Sequence, residues 1–301
     1  RDQPRSRGLG DVYKRQGMVP RPIDTKSENV ATEIAIFFAK NEKTDALFEN
    51  EDAKLSYMLQ RTNKSVHEKY LSSLEKADQD EAVNVIVLTG AGRAFTAGGD
   101  LYASLYPDDE PAPGGMDVQM KIWAMSKPVI AAVRGHAVGQ GCELAGICDF
   151  TIAAEDARFG EIQIRHGGGI PVLITPFLVG LKKAKEILLL GEQLDAFEAH
   201  RIGLVNKVVP VEKLQEEAMS LAKKLADLPQ AAVRQNKILI NRVYELAGFR
   251  EALAYRDDPE IEALISVSDS DEVGKERRRM ITETGWGQFK DTRDAMYGKD
   301  K

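Results

Sequence analysis

Cysteine and histidine are scarce in this chain, and neither is spaced as in a metal site or a disulfide framework. The 301 residues include two cysteines, Cys142 and Cys148, within an apolar, helix-like run. The four histidines are scattered, without the short spacings that metal ligands show. We therefore predict no metal, two buried free thiols and a reducing, cytoplasmic environment.

Long apolar runs and an excess of basic charge are also missing. No apolar stretch reaches about 18 residues, so the sequence predicts no transmembrane helix and no membrane partner. The net charge is −6 and the isoelectric point is about 5.5, which argues against nucleic acid as a partner. The basic run KERRR at 275–279 is expected to be a solvated helix face.

The first residues, RDQPRSRGLGDVYKRQ, are basic and polar and contain no apolar segment of the kind found in secretory signals. We expect residues 1–17 to be a non-native or disordered tail, with Met18 as the start of the protein proper.

Strands, glycine turns and helices alternate from there to about residue 210, and helical patterns dominate beyond. This order predicts an α/β core at 18–210 and a helical region at 211–301. Within the core, residues 53–79 show near-helical spacing of apolar residues, and TIAAEDARFGEIQI at 151–164 is typical of two strands around a turn.

Two glycine-rich turns each follow an apolar strand and lead into a helix. The first, GAGRAFTAGGDL at 90–101, lacks the lysine of a phosphate-binding P-loop, and the second lies in GHAVGQGCELA at 135–145. We expect helices to begin near Asp100 and Cys142. The N-terminus of a helix has free N–H groups and a positive dipole end, so two such turns facing one point would form an oxyanion hole.

Glu143 falls in the first turn of the second helix, between Cys142 and Leu144. An acid at this position commonly stabilises a helix N-terminus. Burying a carboxylate among apolar neighbours is costly, however, and beside an oxyanion hole it favours a general acid or base.

Three stretches together resemble the crotonase superfamily, the enoyl-CoA hydratase/isomerase group. They are VIVLTGAGRAFTAGGDL, SKPVIAAVRGHAVGQGCELAGICDFTIAAEDARFGEIQI and EAHRIGLVNKVVP, and the likeness spans residues 83–210. The resemblance implies an α/β fold with a ββα spiral core and a C-terminal helical region that forms homotrimers or dimers of trimers. It also implies acyl-CoA thioester substrates, an enolate-like oxyanion, and no cofactor beyond the coenzyme A of the substrate.

The resemblance also assigns residues. The oxyanion donors would be the amides of Gly99 and Gln140, where glycine is usual at the second position. The loop NEKTDALF matches the family segment that contacts adenine and phosphate, although a lone lysine such as Lys43 is more often a solvated side chain. The positions expected to bind substrate or CoA are Lys43, Ala46, Ala97, Gly98, Asp100 and Leu101.

Glu143 matches the first family carboxylate, which holds water for addition to the double bond. The second family carboxylate falls on Gln163, and glutamine cannot act as a carboxylic acid. Glu161 lies two residues earlier, on the same face of a regular strand but about 7 Å away. Either Glu161 replaces the acid through a bulge, or the protein works with one carboxylate. His136 and His166 are alternative proton donors, with a structural or solvated role favoured for each.

The predicted function is an enzyme that hydrates a 2-enoyl-CoA to a 3-hydroxyacyl-CoA, as expected in fatty acid metabolism. The alternatives are an isomerase, hydrolase or lyase that uses Glu143 alone, and a catalytically weak acyl-CoA-binding or scaffold protein.

Overall fold

The structure is a computed structural model of the 301-residue chain. It describes residues 33–40, 47–48, 54–56, 64–90, 93–96, 98, 116–166, 173–255, 258–261, 263 and 271–297.

The strands of the described part form two sheets. In chain order they are β1 Glu33–Lys40, β2 Leu47–Phe48, β3 Lys54–Ser56, β4 Val83–Gly90, β5 Val129–Val133, β6 His136–Val138, β7 Phe150–Ala154, β8 Arg158–Gly160, β9 Leu194–Asp195 and β10 Lys207–Val209. The main sheet has the order β10-β7-β5-β4-β1-β2, and β3 also pairs with β1. The smaller sheet has the order β6-β8-β9.

The helices of the described part become longer and more frequent toward the C-terminus. They are α1 Lys64–Gln79, α2 Asp117–Ala124, α3 Gln140–Ile147, α4 Thr175–Val179, α5 Leu181–Leu190, α6 Ala196–Arg201, α7 Leu214–Ala226, α8 Gln230–Leu246, α9 Phe249–Ala254 and α10 Glu272–Asp294. Short 3-10 helices cover Ile162–His166, Val211–Lys213 and Ala295–Tyr297. Among these residues no helix combines the length and apolar character needed to cross a membrane.

Strands β4, β5, β7 and β10 are parallel, whereas β1 runs antiparallel to β4. Parallel strands need crossover connections and are covered on both faces, which explains why β4 and β5 are buried and mostly apolar. This is the α/β architecture that the order of sequence patterns predicts.

The alternation of side chains along β4 divides the core in two. Ile86 and Leu88 pack with residues of α1, α2 and α3. Val85 and Val87 point to the opposite face and pack with the alanine-rich side of α7. Since successive strand residues face opposite sides, one fully buried strand supplies both cores.

Helix α8 is fastened to the core by a buried lysine. Lys237 Nζ donates to the carbonyls of Ile122 and Lys127 and forms an ion pair with Asp149 at 2.8 Å. The Asp149 carboxylate also accepts from the Val129 N–H at 2.7 Å. The first helices after residue 210 therefore pack directly on the core. The boundaries 18–210 and 211–301 stay a prediction.

Several local predictions need correction. Of the helix predicted at 53–79, the structure describes Lys64–Gln79 as helix, whereas Lys54–Ser56 is a strand that pairs with β1. The polar segment before it contains the short strand Leu47–Phe48. The second strand in TIAAEDARFGEIQI ends at Gly160, and a 3-10 helix follows from Ile162.

Candidate active site

The second glycine turn lies directly against the segment that contains the first. Thr96 forms a parallel bridge with Ala137, and the Val138 N–H donates to the Thr96 carbonyl at 3.3 Å. Gly98 has φ +87°, and a Cβ built on it would lie 2.7 Å from the Val138 carbonyl oxygen. A Cβ on Gly139 would lie 3.9 Å from the Gly98 Cα. Glycine is required at position 98 because the two backbones approach too closely for a side chain.

Helix α3 begins at Gln140, directly after this contact. Gly139, the residue before the helix, has φ 56°. Its carbonyl accepts from the N–H groups of Cys142 at 2.9 Å and Glu143 at 3.2 Å. The N–H of Gln140 takes part in none of the backbone hydrogen bonds found among the described residues. It is one of the orphan donors at a helix N-terminus, at the point where the helix dipole is positive.

Several predicted site residues lie outside the described part of the chain, so their roles stay predictions. They are Lys43, Ala46, Ala97, Gly99, Asp100 and Leu101. The described segment nevertheless brings Gly98, the neighbour of Gly99, against the turn that leads to Gln140.

Glu143 is buried, with 2% of its surface exposed, in the first turn of α3. Its position within the same turn as Gln140 is the one predicted from the sequence. The positive end of the helix dipole favours negative charge at this place.

Glu161 and Gln163 come together, but not in the way the sequence suggested. The expectation of a common strand face is wrong, since the strand ends at Gly160 and Gln163 lies in the 3-10 helix. The change of backbone direction brings the two side chains into contact, and Gln163 Nε2 donates to Glu161 Oε2 at 2.9 Å.

Burial sets the ionisation of Glu161. The side chain is 1% exposed, and desolvation raises its pKa from 4.5 to about 7. Hydrogen bonding with Gln163, Cys142 and Thr175 works in the opposite direction and keeps the increase smaller. Glu161 is therefore a carboxyl group that exchanges its proton near neutral pH.

Both cysteines are buried free thiols, as predicted. Burial raises the pKa of Cys142 well above its ordinary value, and the nearby carboxylates of Glu161 and Glu143 raise it further. Burial likewise raises the pKa of Cys148. Because the thiolate is the nucleophilic form, neither cysteine is poised for covalent chemistry.

Two buried polar atoms near the start of α3 have no hydrogen-bond partner among the described residues. They are Gln140 Nε2 and Gln163 Oε1. A Cβ built on Gly139 would lie 3.6 Å from Gln163 Oε1, so this oxygen faces the turn before Gln140. Buried polar atoms in folded proteins are nearly always satisfied, and a cluster of unsatisfied ones is typical of a place that receives water or a polar ligand.

Arg165 anchors the 3-10 helix that carries Gln163, and sequence reasoning missed it. The buried guanidinium donates to the Gly191 carbonyl at 2.5 Å and pairs with Asp294 at 3.2 Å. It also lies 3.7 Å from the centre of the Tyr297 ring. Its partners follow by 26 and 129 residues along the chain, so no local pattern signals the contact.

The histidines occupy different positions. His136 is exposed at the start of β6, in agreement with a solvated role. The side chain of His166 lies outside the described part. Within that part, no group of three or more His, Cys, Asp or Glu side chains could hold a metal ion.

Comparison with known proteins gives consistent matches. A family model described as Enoyl-CoA hydratase/isomerase matches residues 61–292. A Mycobacterium bovis protein named probable enoyl-CoA hydratase echA8 is 36% identical over 209 residues, which cover 65% of this chain and 78% of the relative. A crotonyl-CoA hydratase of Syntrophomonas wolfei is 38% identical over 216 residues, with 68% and 81% covered.

Solved structures agree with the sequence matches. The crystal structure of an enoyl-CoA hydratase/isomerase from Xanthobacter autotrophicus Py2 aligns with a TM-score of 0.70 and 32% identity. The alignment covers 81% of this chain and 99% of that structure.

Proposed function

Because the chain belongs to the enoyl-CoA hydratase/isomerase family of the crotonase superfamily, and is an enzyme of that type, we propose that it adds water to a 2-enoyl-CoA. The product is a 3-hydroxyacyl-CoA. The observation that supports this reaction best is the position of Glu143, buried in the same helical turn as the Gln140 amide, which has no backbone acceptor among the described residues.

The oxyanion site we propose consists of the Gln140 and Gly99 amides. The thioester oxygen accepts from both N–H groups while negative charge develops on it during attack. Support comes from the close contact between Gly98 and the Gly139 turn, which places the neighbouring residues of both turns side by side. One donor of this kind typically lowers the barrier by about 3–4 kcal/mol.

Glu143 is the base in the proposed reaction. Its carboxylate takes one proton from water as the oxygen attacks C3, and it returns a proton to C2 of the enolate. Water is thus added across the double bond with no change of oxidation state. The reaction consequently needs no electron-transferring cofactor, and the coenzyme A is part of the substrate.

Replacing Glu143 by glutamine tests this role. Removing the base while keeping the shape of the side chain should lower kcat for hydration of crotonyl-CoA by at least about 100-fold. The rate is measured from the loss of the enoyl thioester absorbance. Glu155→Gln, which changes an exposed glutamate in the turn after β7, is the matched control and should keep the wild-type rate. Unchanged turnover in Glu143→Gln, or no turnover in any form, would favour acyl-CoA binding over catalysis.

One observation favours a second candidate reaction. Gln163 occupies the position at which the resemblance places a second carboxylate. Its carboxamide is hydrogen-bonded to Glu161. An enzyme with the single carboxylate Glu143 could isomerise, hydrolyse or cleave the acyl group from the same enolate. Identification of the product separates these reactions from hydration.

We also propose that the chain assembles as a homotrimer or a dimer of trimers. Apolar side chains on α8 support an assembly, since Leu239, Ile240, Val243 and Leu246 are 56–80% exposed. Surfaces of this composition mark contacts between proteins more often than free surfaces.

A further inference from the structure

The carboxamide of Gln163 is held at its nitrogen end. Nε2 donates to Glu161 Oε2 at 2.9 Å. The two ends of a carboxamide differ in chemistry, one donating and the other accepting, so fixing the nitrogen also fixes the direction of the oxygen. Oε1 points toward Gly139, where a Cβ would lie 3.6 Å away.

We infer that Glu161 is a positioning residue, whose carboxylate orients Gln163 so that the carboxamide oxygen accepts a hydrogen bond from the attacking water. This inference rests on the proposed hydration. Glu143 accepts one proton of the water and Gln163 Oε1 accepts a hydrogen bond from the other. Both lone pairs of the water oxygen stay unoccupied, and one of them attacks C3.

The direction of the carboxamide matters for this step. If the amide were reversed, its NH2 group would donate to one of the two lone pairs of the water oxygen and make that oxygen a weaker nucleophile. The buried Oε1 has no other hydrogen-bond partner among the described residues, so it is available to the water. Gln163 thus takes part in the reaction without giving up or accepting a proton.

Glu161 can hold the Gln163 carboxamide in either of its two orientations, depending on whether the Glu161 carboxyl group is ionised. As a carboxylate it accepts from Nε2, whereas as a neutral acid its O–H can donate to Oε1 of the reversed amide. Burial raises its pKa to about 7. The ionisable group that acts on it is the Cys142 thiol on α3, which in turn feels the charge of Glu143, while α4 contributes the Thr175 hydroxyl. Arg165, on the 3-10 helix that follows Glu161, is directed to Gly191 and Asp294.

A set of variants of the full-length chain tests the inference through the pH dependence of kcat. Wild-type kcat for crotonyl-CoA hydration should rise about tenfold between pH 6 and pH 8.5 with an inflection near 7. Glu161→Gln should lose that inflection, fall about tenfold below wild type at pH 8.5, and keep KM within about twofold. Gln163→Leu removes the acceptor and should show a similar loss.

The double variant separates positioning from a structural role. If Glu161 acts only through Gln163, Glu161→Gln should cost no further activity when combined with Gln163→Leu. Multiplied losses, or an inflection near pH 7 that survives in Glu161→Gln, would overturn the inference. Glu155→Gln is the control for the pH series.

A measurement independent of turnover distinguishes failure of this inference from failure of the proposed function. The 15N side-chain amide resonance of Gln163, assigned by its loss in Gln163→Leu, should titrate with a midpoint near pH 7 in wild type and stay constant in Glu161→Gln. A resonance that does not titrate in wild type contradicts the positioning role. A wild-type product other than the hydroxyacyl thioester contradicts only hydration, and the titration then still decides the orientation of the amide.

Discussion

Burial raises the pKa of Glu161 by more than the hydrogen bonds around it lower that pKa. The unfolded chain exposes this carboxyl group to water, where its pKa is near 4.5, whereas the folded chain raises the pKa to about 7. The folded state therefore binds the proton more tightly. Its stability contribution is complete below pH 4.5 and is lost as the pH rises through 7.

This linkage predicts a pH-dependent difference between wild type and Glu161→Gln. The free energy of unfolding of wild type relative to the variant should fall between pH 5 and pH 8 by about 1–3 kcal/mol. Urea titrations of both proteins at the two pH values measure it. A constant difference, or one that increases with pH, would show that the buried carboxyl group is not destabilised in its charged form.

The contact between Glu161 and Gln163 shows the limit of sequence reasoning for single residues. The sequence identified both residues as candidates and showed directly that position 163 has no acid. It did not predict their hydrogen bond, because that bond depends on a change from strand to 3-10 helix between Gly160 and Ile162. No apolar periodicity distinguishes the two conformations over so few residues.

Helix α8 is attached to the core through the buried side chain of Lys237. Lys237 is 7% exposed and binds two carbonyls and the Asp149 carboxylate. Burial raises the pKa of Asp149, and the Lys237 ammonium opposes that increase. The ion pair thus favours the charged carboxylate beside the start of β5.

Replacing Lys237 by methionine should expose this dependence. The variant leaves the Asp149 carboxylate buried without its cation and should lose about 3–5 kcal/mol of unfolding free energy. Chemical denaturation measures the loss, and Lys224→Met, on an exposed position of α7, is the control. If Lys237→Met unfolds like the control, the anchor contributes no net stability.

Elements with a sustained pattern were predictable, and short ones were not. β4 and β5 are mostly apolar runs, and the helices beyond residue 210 repeat their apolar residues over several turns. The strand Lys54–Ser56 was missed because its three residues gain their conformation from pairing with β1 rather than from their own pattern.

The whole molecule combines a parallel sheet, two cores and an apolar outer face on α8. The sheet and cores follow from alternation along strands such as β4, which the sequence displays. Assembly does not follow in the same way, since an apolar residue on a helix can face either a core or another subunit.

Sedimentation of the purified chain tests the proposed assembly. We expect the mass of three or six chains, with dissociation on replacing both Ile240 and Val243 by aspartate, because charges oppose burial of that face. Lys224→Met serves again as the control. A wild-type chain that sediments as a monomer would contradict the assembly while leaving the reaction open.

The account as a whole depends on one chemical outcome, the addition of water to a 2-enoyl-CoA through Glu143. The most direct measurement incubates wild type and Glu143→Gln with a mixed panel of enoyl-, hydroxyacyl- and cyclic acyl-CoA thioesters and identifies the products by mass spectrometry. The account predicts that wild type converts a 2-enoyl-CoA to a thioester heavier by one water and that Glu143→Gln does not. Free coenzyme A, an isomer of unchanged mass, or equal conversion by both proteins would contradict it.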